Sequence, residues 1–212
     1  LVGSEMCIRD RYYSLTLQDK TGTADGKIWE LNNGIANFEP MDYIHCEGMV
    51  TSFQGNLQMN ISRVRISDEG EYDPADYVPC TNKDVGEMFS RILKYVASVQ
   101  NKYLRKILEM YFVENKEFVD AFKKHSAAKS VHHGFMGGLL EHTLSVTDMC
   151  QYFAEHYPMI HRDLLITAAL FHDMGKIQEI SDFPMNDYTD DGQLLGHIYI
   201  AVSYTHLRAH ET

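Results

Sequence analysis

The chain has 212 residues, 44% of them apolar, and a formal net charge of −11. That length holds one large domain or two small ones, and the apolar share suffices for a buried core. A bilayer span is excluded because no apolar run approaches the roughly 18 residues it needs, and the charge excludes a nucleic-acid grip built on a broad basic field.

Taken in chain order, the first eleven residues, LVGSEMCIRDR, share no periodicity with the alternating segment that begins at Tyr12. They and the closing stretch, residues 202–212, resemble translated adaptor sequence and are read as non-native ends of a longer parent. From residue 12 to residue 68 the apolar period is two. Leu15 and Leu17 alternate with polar neighbours, Asp19 to Gly22 reads as a turn, and a second strand surrounds Trp29, the single tryptophan. Tyr43 to Phe53 is a third strand. Leu57, Met59 and Ile61 then share one face while Val64 and Ile66 have the opposite parity, which predicts a β-bulge near Ser62 and Arg63. Short curved strands with a bulge suit a small antiparallel barrel of the oligonucleotide-binding type, incomplete because only about four strands can be counted.

Residues 69–81 are acidic, contain Pro74 and Pro79, and read as a linker. The period then becomes helical. Val85, Met88, Phe89, Ile92, Leu93, Val96 and Val99 predict one amphipathic helix, Tyr103 to Tyr111 a second, and Phe118 to Phe122 a short third. Gly137 and Gly138 open a fourth helix that runs to about His156, and the fifth covers Asp163 to His172, with Asp163 suited to its N-terminal dipole. Residues 82–201 are therefore expected to form an all-α bundle.

Two neighbouring helices carry the chemistry. His172 and Asp173 end the fifth helix, and Leu164, Leu165, Ala168 and Ala169 place His172 on its apolar side. On the fourth helix Leu139, His142, Val146 and Met149 share a face. A lone inward histidine is more often a packed core residue, but a buried aspartate beside two imidazoles is costly without a cation. Imidazole plus carboxylate without thiolate suits manganese, iron, cobalt or magnesium better than structural zinc. The cysteines Cys7, Cys46, Cys80 and Cys150 form no C-x-x-C pair, which argues against a zinc ribbon or a disulfide framework and fits a reducing cytoplasm.

The runs HHGFMGGLLEHT from His132, LFHDMGK from Leu170 and YTDDGQLLGHI from Tyr188, with LTLQDKTGTADGKIWEL from Leu15 upstream, resemble the YhaM family of 3′–5′ exoribonucleases. The resemblance implies an oligonucleotide-binding domain over residues 12–68 and a metal-dependent HD phosphohydrolase domain over residues 82–201, truncated at its C-terminal side. It implies that His142, His172 and Asp173 bind a divalent metal, manganese first, with His197 as a further histidine that can join a second metal or touch substrate. Lys176 would face the scissile phosphate and Asp173 would orient the attacking water, so both are candidate catalytic residues. His132 and His133 would shape the pocket entrance. Trp29, Tyr43 and Phe53 are candidate stacking residues, with Lys27 and Arg63 beside them, although aromatics in small β-domains are more often core. The expected partner is single-stranded RNA or DNA, with no membrane and the oligomeric state open. Two other readings stand beside this one: a phosphohydrolase of nucleotides or cyclic signalling molecules, and a non-catalytic RNA-binding protein.

Overall fold

The computed structural model describes residues 2–9, 12–29, 37–53, 56–130 and 133–209. Backbone packing divides the chain into two compact units, residues 1–78 and 79–212.

The first unit is a five-stranded sheet of β1 (Val2–Arg9), β2 (Tyr12–Asp19), β3 (Gly22–Ile28), β4 (Ile44–Phe53) and β5 (Asn56–Ile66), in the order β1-β2-β3-β5-β4. The β1 strand lies within residues 1–11, the stretch whose lack of periodicity suggests a non-native end. The β2–β3 hairpin turns where expected, because the Asp19 carboxylate accepts the backbone N–H groups of Thr21 and Gly22 and the Thr21 hydroxyl. The incomplete barrel expected from sequence is present, with one departure from its antiparallel pattern. The sheet is not wholly antiparallel: β4 and β5 form a hairpin, which brings β5 alongside β3 in parallel, with Lys27 opposite Asn60. Its ladder is open, since β1 and β4 are its outer strands. Two backbone hydrogen bonds link Val2 to Met41 and Asp42, the segment that leads into β4. A five-stranded, partly open mixed sheet is what an oligonucleotide-binding fold allows.

The bulge lies where parity predicts it. Glu47 pairs with Arg63 and Gly48 with Ile61, so Ser62 is the extra residue, and its hydroxyl donates to the Glu47 carbonyl. The slip returns Val64 to the face of Ile61, and both join Leu15 and Ile28 in the core of the unit. Gly48 is required opposite the bulge, because a Cβ there would lie 2.2 Å from the Asn60 carbonyl oxygen.

The second unit is all helical, comprising α1 (Val85–Ser98), α2 (Lys102–Glu109), α3 (Lys116–Lys124), α4 (Gly138–His156), α5 (Arg162–Phe171), α6 (Lys176–Glu179), α7 (Asp190–Leu194) and α8 (Gly196–Ala209). A wide π-type turn, Met110–Glu114, separates α2 from α3 and buries both Tyr111 and Phe112. These rings meet Phe118, Phe122 and Phe171 largely edge to face. Their cluster is continuous with Ile92, Leu108, Leu139, Leu140, Ile166 and Leu170, the core that fixes α4 against α5. Asp163 does more than suit a dipole: its carboxylate is buried and accepts the backbone N–H groups of Gln100 and Asn101, tying the start of α5 to the α1–α2 link.

Two helical faces differ from expectation. On α4 the buried residues are Leu139, Leu140, Thr143, Leu144 and Thr147, so His142 sits at the edge of that face and Met149 is exposed. On α5 the buried face is Asp163, Ile166, Thr167, Ala169 and Leu170; Leu164 is exposed, and His172 lies just past the helix end with its ring one-third exposed. His172 is thus not an inward residue of α5. Asp173, its neighbour, is the buried one.

Candidate metal centre

Three ligand-type side chains converge at the ends of α4 and α5. His142 Nε2 and His172 Nε2 each lie 3.2 Å from the same oxygen, Asp173 Oδ2, and 3.3 Å from each other. Among the described residues this is the one group of three or more histidine, cysteine or acidic side chains close enough to hold a metal ion.

Tautomers show what the group lacks. His172 Nδ1 lies 2.7 Å from the Ala169 carbonyl, which only accepts, so Nδ1 carries the proton and Nε2 offers a lone pair to the cluster. That lone pair faces a carboxylate oxygen and a second imidazole nitrogen. That lone pair and the Asp173 oxygen lie 3.2 Å apart, an arrangement favoured by a proton or a cation between them. Side-chain ionisation points the same way. Burial pushes the Asp173 carboxyl up, but hydrogen bonds from His142, His172 and Lys176 outweigh it and hold it far below the usual carboxylate range. Burial pushes the His172 imidazole down, yet Asp173 and the Ala169 carbonyl raise it above its ordinary value. Two imidazoles and a carboxylate without thiolate make a donor set that fits a divalent cation.

Lys176 occupies the fourth side. Its Nζ donates to the Ala127 carbonyl at 2.7 Å and approaches Asp173 Oδ2 at 3.0 Å. It therefore pins the loop after α3 and partly neutralises Asp173, with one N–H left for any bound anion. The same loop is fastened by His125, whose ring nitrogens lie 2.9 and 3.0 Å from the carbonyls of Ser126 and Ile180. Buried Asn186 adds donors to the carbonyls of Ala128 and Lys129. His197 approaches from the other side of the aspartate, with Nε2 3.5 Å from Asp173 Oδ1. Its Nδ1 lies 2.9 Å from Glu179 Oε1.

Of the entrance histidines, His132 lies outside the described residues. The His133 ring sits 5.5 Å from that of His142, and its Nδ1 is 3.8 Å from Glu141 Oε1. Glu141 itself accepts from the Thr81 hydroxyl at 2.6 Å and pairs with Lys83 at 3.0 Å. Sequence reasoning missed Glu179, Glu141, His125 and Asn186. The one usable signal was the carboxylate of Glu179, a single helical turn beyond Lys176 on a stretch that returns to the site.

On the first unit, Trp29 is half exposed and its ring lies 4.7 Å from that of Tyr12. Its indole N–H donates to Asn60 Oδ1 at 3.1 Å. Lys27 lies 5.5 Å over the Tyr12 ring and donates to the Ser14 hydroxyl at 2.5 Å. Tyr43 instead stacks on Tyr72 at 4.1 Å and meets the edge of Tyr77, so its ring is part of an aromatic cluster with the linker. Arg63 is exposed and 3.7 Å from Glu47. The Phe53 ring lies outside the described residues.

Residues 139–211 match the family described as "HD domain". Over 193 residues the chain is 30% identical to the 3′-5′ exoribonuclease YhaM of Geobacillus sp. (strain WCH70), covering 90% of this chain and 59% of the relative. The corresponding protein of Listeria innocua is 32% identical over 200 residues, 90% of this chain and 61% of the relative. That of Bacillus subtilis (strain 168) is 29% identical over 195 residues, 91% and 61%. The chain therefore spans about three-fifths of the length of these curated relatives. The chain is thus similar to the YhaM proteins over nine-tenths of its length, and its helical unit contains the stretch that matches the HD domain family.

Proposed function

We propose that the chain is part of a metal-dependent 3′–5′ exoribonuclease that hydrolyses phosphodiester bonds of single-stranded RNA. The observation that carries this reading is the convergence of His142, His172 and Asp173 on one point, close enough to share a metal ion. His142, His172 and Asp173 would hold the metal, manganese first with magnesium, cobalt or iron also compatible with imidazole and carboxylate donors, and His197 lies one oxygen away. The metal supplies Lewis-acid polarisation of a phosphoryl oxygen and a water of lowered pKa.

The remaining roles fall to the protein. Ala169 holds the His172 tautomer through Nδ1 and keeps Nε2 as an electron-pair donor. Asp173, kept ionised by its neighbours, can accept a hydrogen bond from water and so orient it. Lys176, anchored on the Ala127 carbonyl, is placed to offer its last N–H to a phosphate oxygen as negative charge builds. In the first unit, the Tyr12–Trp29 pair beside Lys27 and the Asn60 amide offers a flat, sequence-tolerant platform for bases. The unit bounds, residues 12–68 and 82–201, and a cytoplasmic setting belong to the same proposal.

The test is release of nucleotides from a 5′-labelled single-stranded RNA with Mn²⁺ by the full-length protein, against nucleoside triphosphates as competing substrates. Stepwise shortening from the 3′ end, abolished in His142→Ala and by chelation, is the expected result. Undiminished shortening in His142→Ala refutes the assignment, and turnover of triphosphates alone favours a nucleotide phosphohydrolase.

A further inference from the structure

We infer that Glu179 is a positioning residue that makes His197 a metal-facing arm of the centre, by fixing both its place and its tautomer. The inference rests on the metal reading above and extends it to a residue outside the ligand group. Glu179 is buried, and its Oε1 accepts twice from the same residue: from the His197 backbone N–H at 3.0 Å and from Nδ1 at 2.9 Å. A carboxylate that takes the Nδ1 proton leaves Nε2 with the lone pair. That nitrogen lies 3.5 Å from Asp173 Oδ1, so two acceptors again face each other, as they do around Oδ2.

The backbone is built to hold this geometry. Gly175 abuts His197, where a Cβ would lie 2.0 Å from its carbonyl oxygen, and Gly192 abuts Glu179, where a Cβ would lie 2.1 Å from its carbonyl oxygen. Thr189 adds a hydrogen bond from its backbone N–H to that same Glu179 carbonyl at 3.0 Å. Thus α6, α7 and the start of α8 meet backbone to backbone, and the glycine beside the H-D pair and that of the T-D-D-G run serve one purpose. They bring the Glu179–His197 pair up to Asp173. A purely structural ion pair between Glu179 and a doubly protonated His197 is the competing explanation, and it makes a different prediction.

The experiment measures Mn²⁺ affinity of the full chain, from the electron paramagnetic resonance signal of free Mn²⁺, with thermal melts alongside. Glu179→Ala and His197→Ala are each expected to bind Mn²⁺ roughly 10- to 100-fold more weakly than the unaltered protein. Glu179→Gln, whose amide oxygen still accepts both N–H groups, recovers most of that loss, and the double alanine variant binds no more weakly than His197→Ala alone. A structural ion pair would instead lower the melting temperature of Glu179→Ala and Glu179→Gln alike and leave Mn²⁺ affinity unchanged; that result overturns the inference. Should Glu179→Ala fail to fold, His197→Ala and Glu179→Gln decide it: wild-type affinity in His197→Ala overturns it. Failure of the unaltered protein to bind Mn²⁺ sinks the metal reading itself, a separate outcome.

Discussion

At the scale of single residues, Asp173 is the hinge of the site, since His142, His172, Lys176 and His197 all approach its two oxygens. Asp173→Ala removes the shared acceptor and leaves Lys176 facing two imidazoles. Loss of the Mn²⁺ site is expected, together with destabilisation of about 1–3 kcal/mol in urea melts without metal. A variant with both properties intact contradicts the geometry. Trp29→Ala removes the exposed half of the aromatic pair. Loss of about 1–3 kcal/mol of single-strand affinity, roughly 5- to 150-fold, should appear in fluorescence titrations with short RNA. No change would reassign the platform. These residues differed in how far they could be read from sequence. The H-D pair and the histidine 30 positions before it are legible because one follows the end of α5 and the other lies on α4, two helices joined by a short loop. Glu179 offered only its spacing one turn beyond Lys176, because its role depends on two glycine contacts that no spacing rule reveals.

At the scale of elements, the bulge of β5 was readable because a period of two changes parity at one residue, and the core confirms it with Ile61 and Val64 on the same side. The phase of α5 was not. Its run LLITAALF is apolar almost all round, so sequence alone leaves open which stripe faces the core. The parallel β3–β5 pair was equally hidden, since pairing across a long connection leaves no local signature. Gly48→Ala should lower stability by about 1–3 kcal/mol, because the Asn60 carbonyl must move to admit a methyl group. An unchanged urea midpoint would show the bulge to be pliant. Arg65 and Glu71 bind through two short contacts, 2.6 and 2.8 Å. Hydrogen bonds from Arg65 and then from the Asp68 backbone hold the Glu71 carboxyl down at about 2. An unfolded Glu titrates near 4.3. The folded value is depressed, so the contribution of this tether is full above that unfolded value and is lost as the pH falls toward the folded one. Carbon-13 NMR of the Glu71 carboxyl should show the low midpoint, and an ordinary one would contradict the tether.

At the scale of the whole molecule, a net charge of −11 sets the manner of strand binding. With Lys27 the cation beside the aromatic pair, few phosphates can be neutralised there. Single strands lose affinity with a log–log salt slope of about −0.7 per phosphate contact. A slope of about −1 to −2 is expected, and one steeper than about −4 would mean a basic surface and not stacking. Among the described residues no helix is long and apolar enough to cross a membrane. The central claim is that His142, His172 and Asp173 share one cation. It is tested most directly by anomalous diffraction from crystals grown with Mn²⁺. A single strong peak about 2.0–2.3 Å from His142 Nε2, His172 Nε2 and an Asp173 oxygen is the predicted result. A map with no peak there, or with the metal held elsewhere, would contradict it.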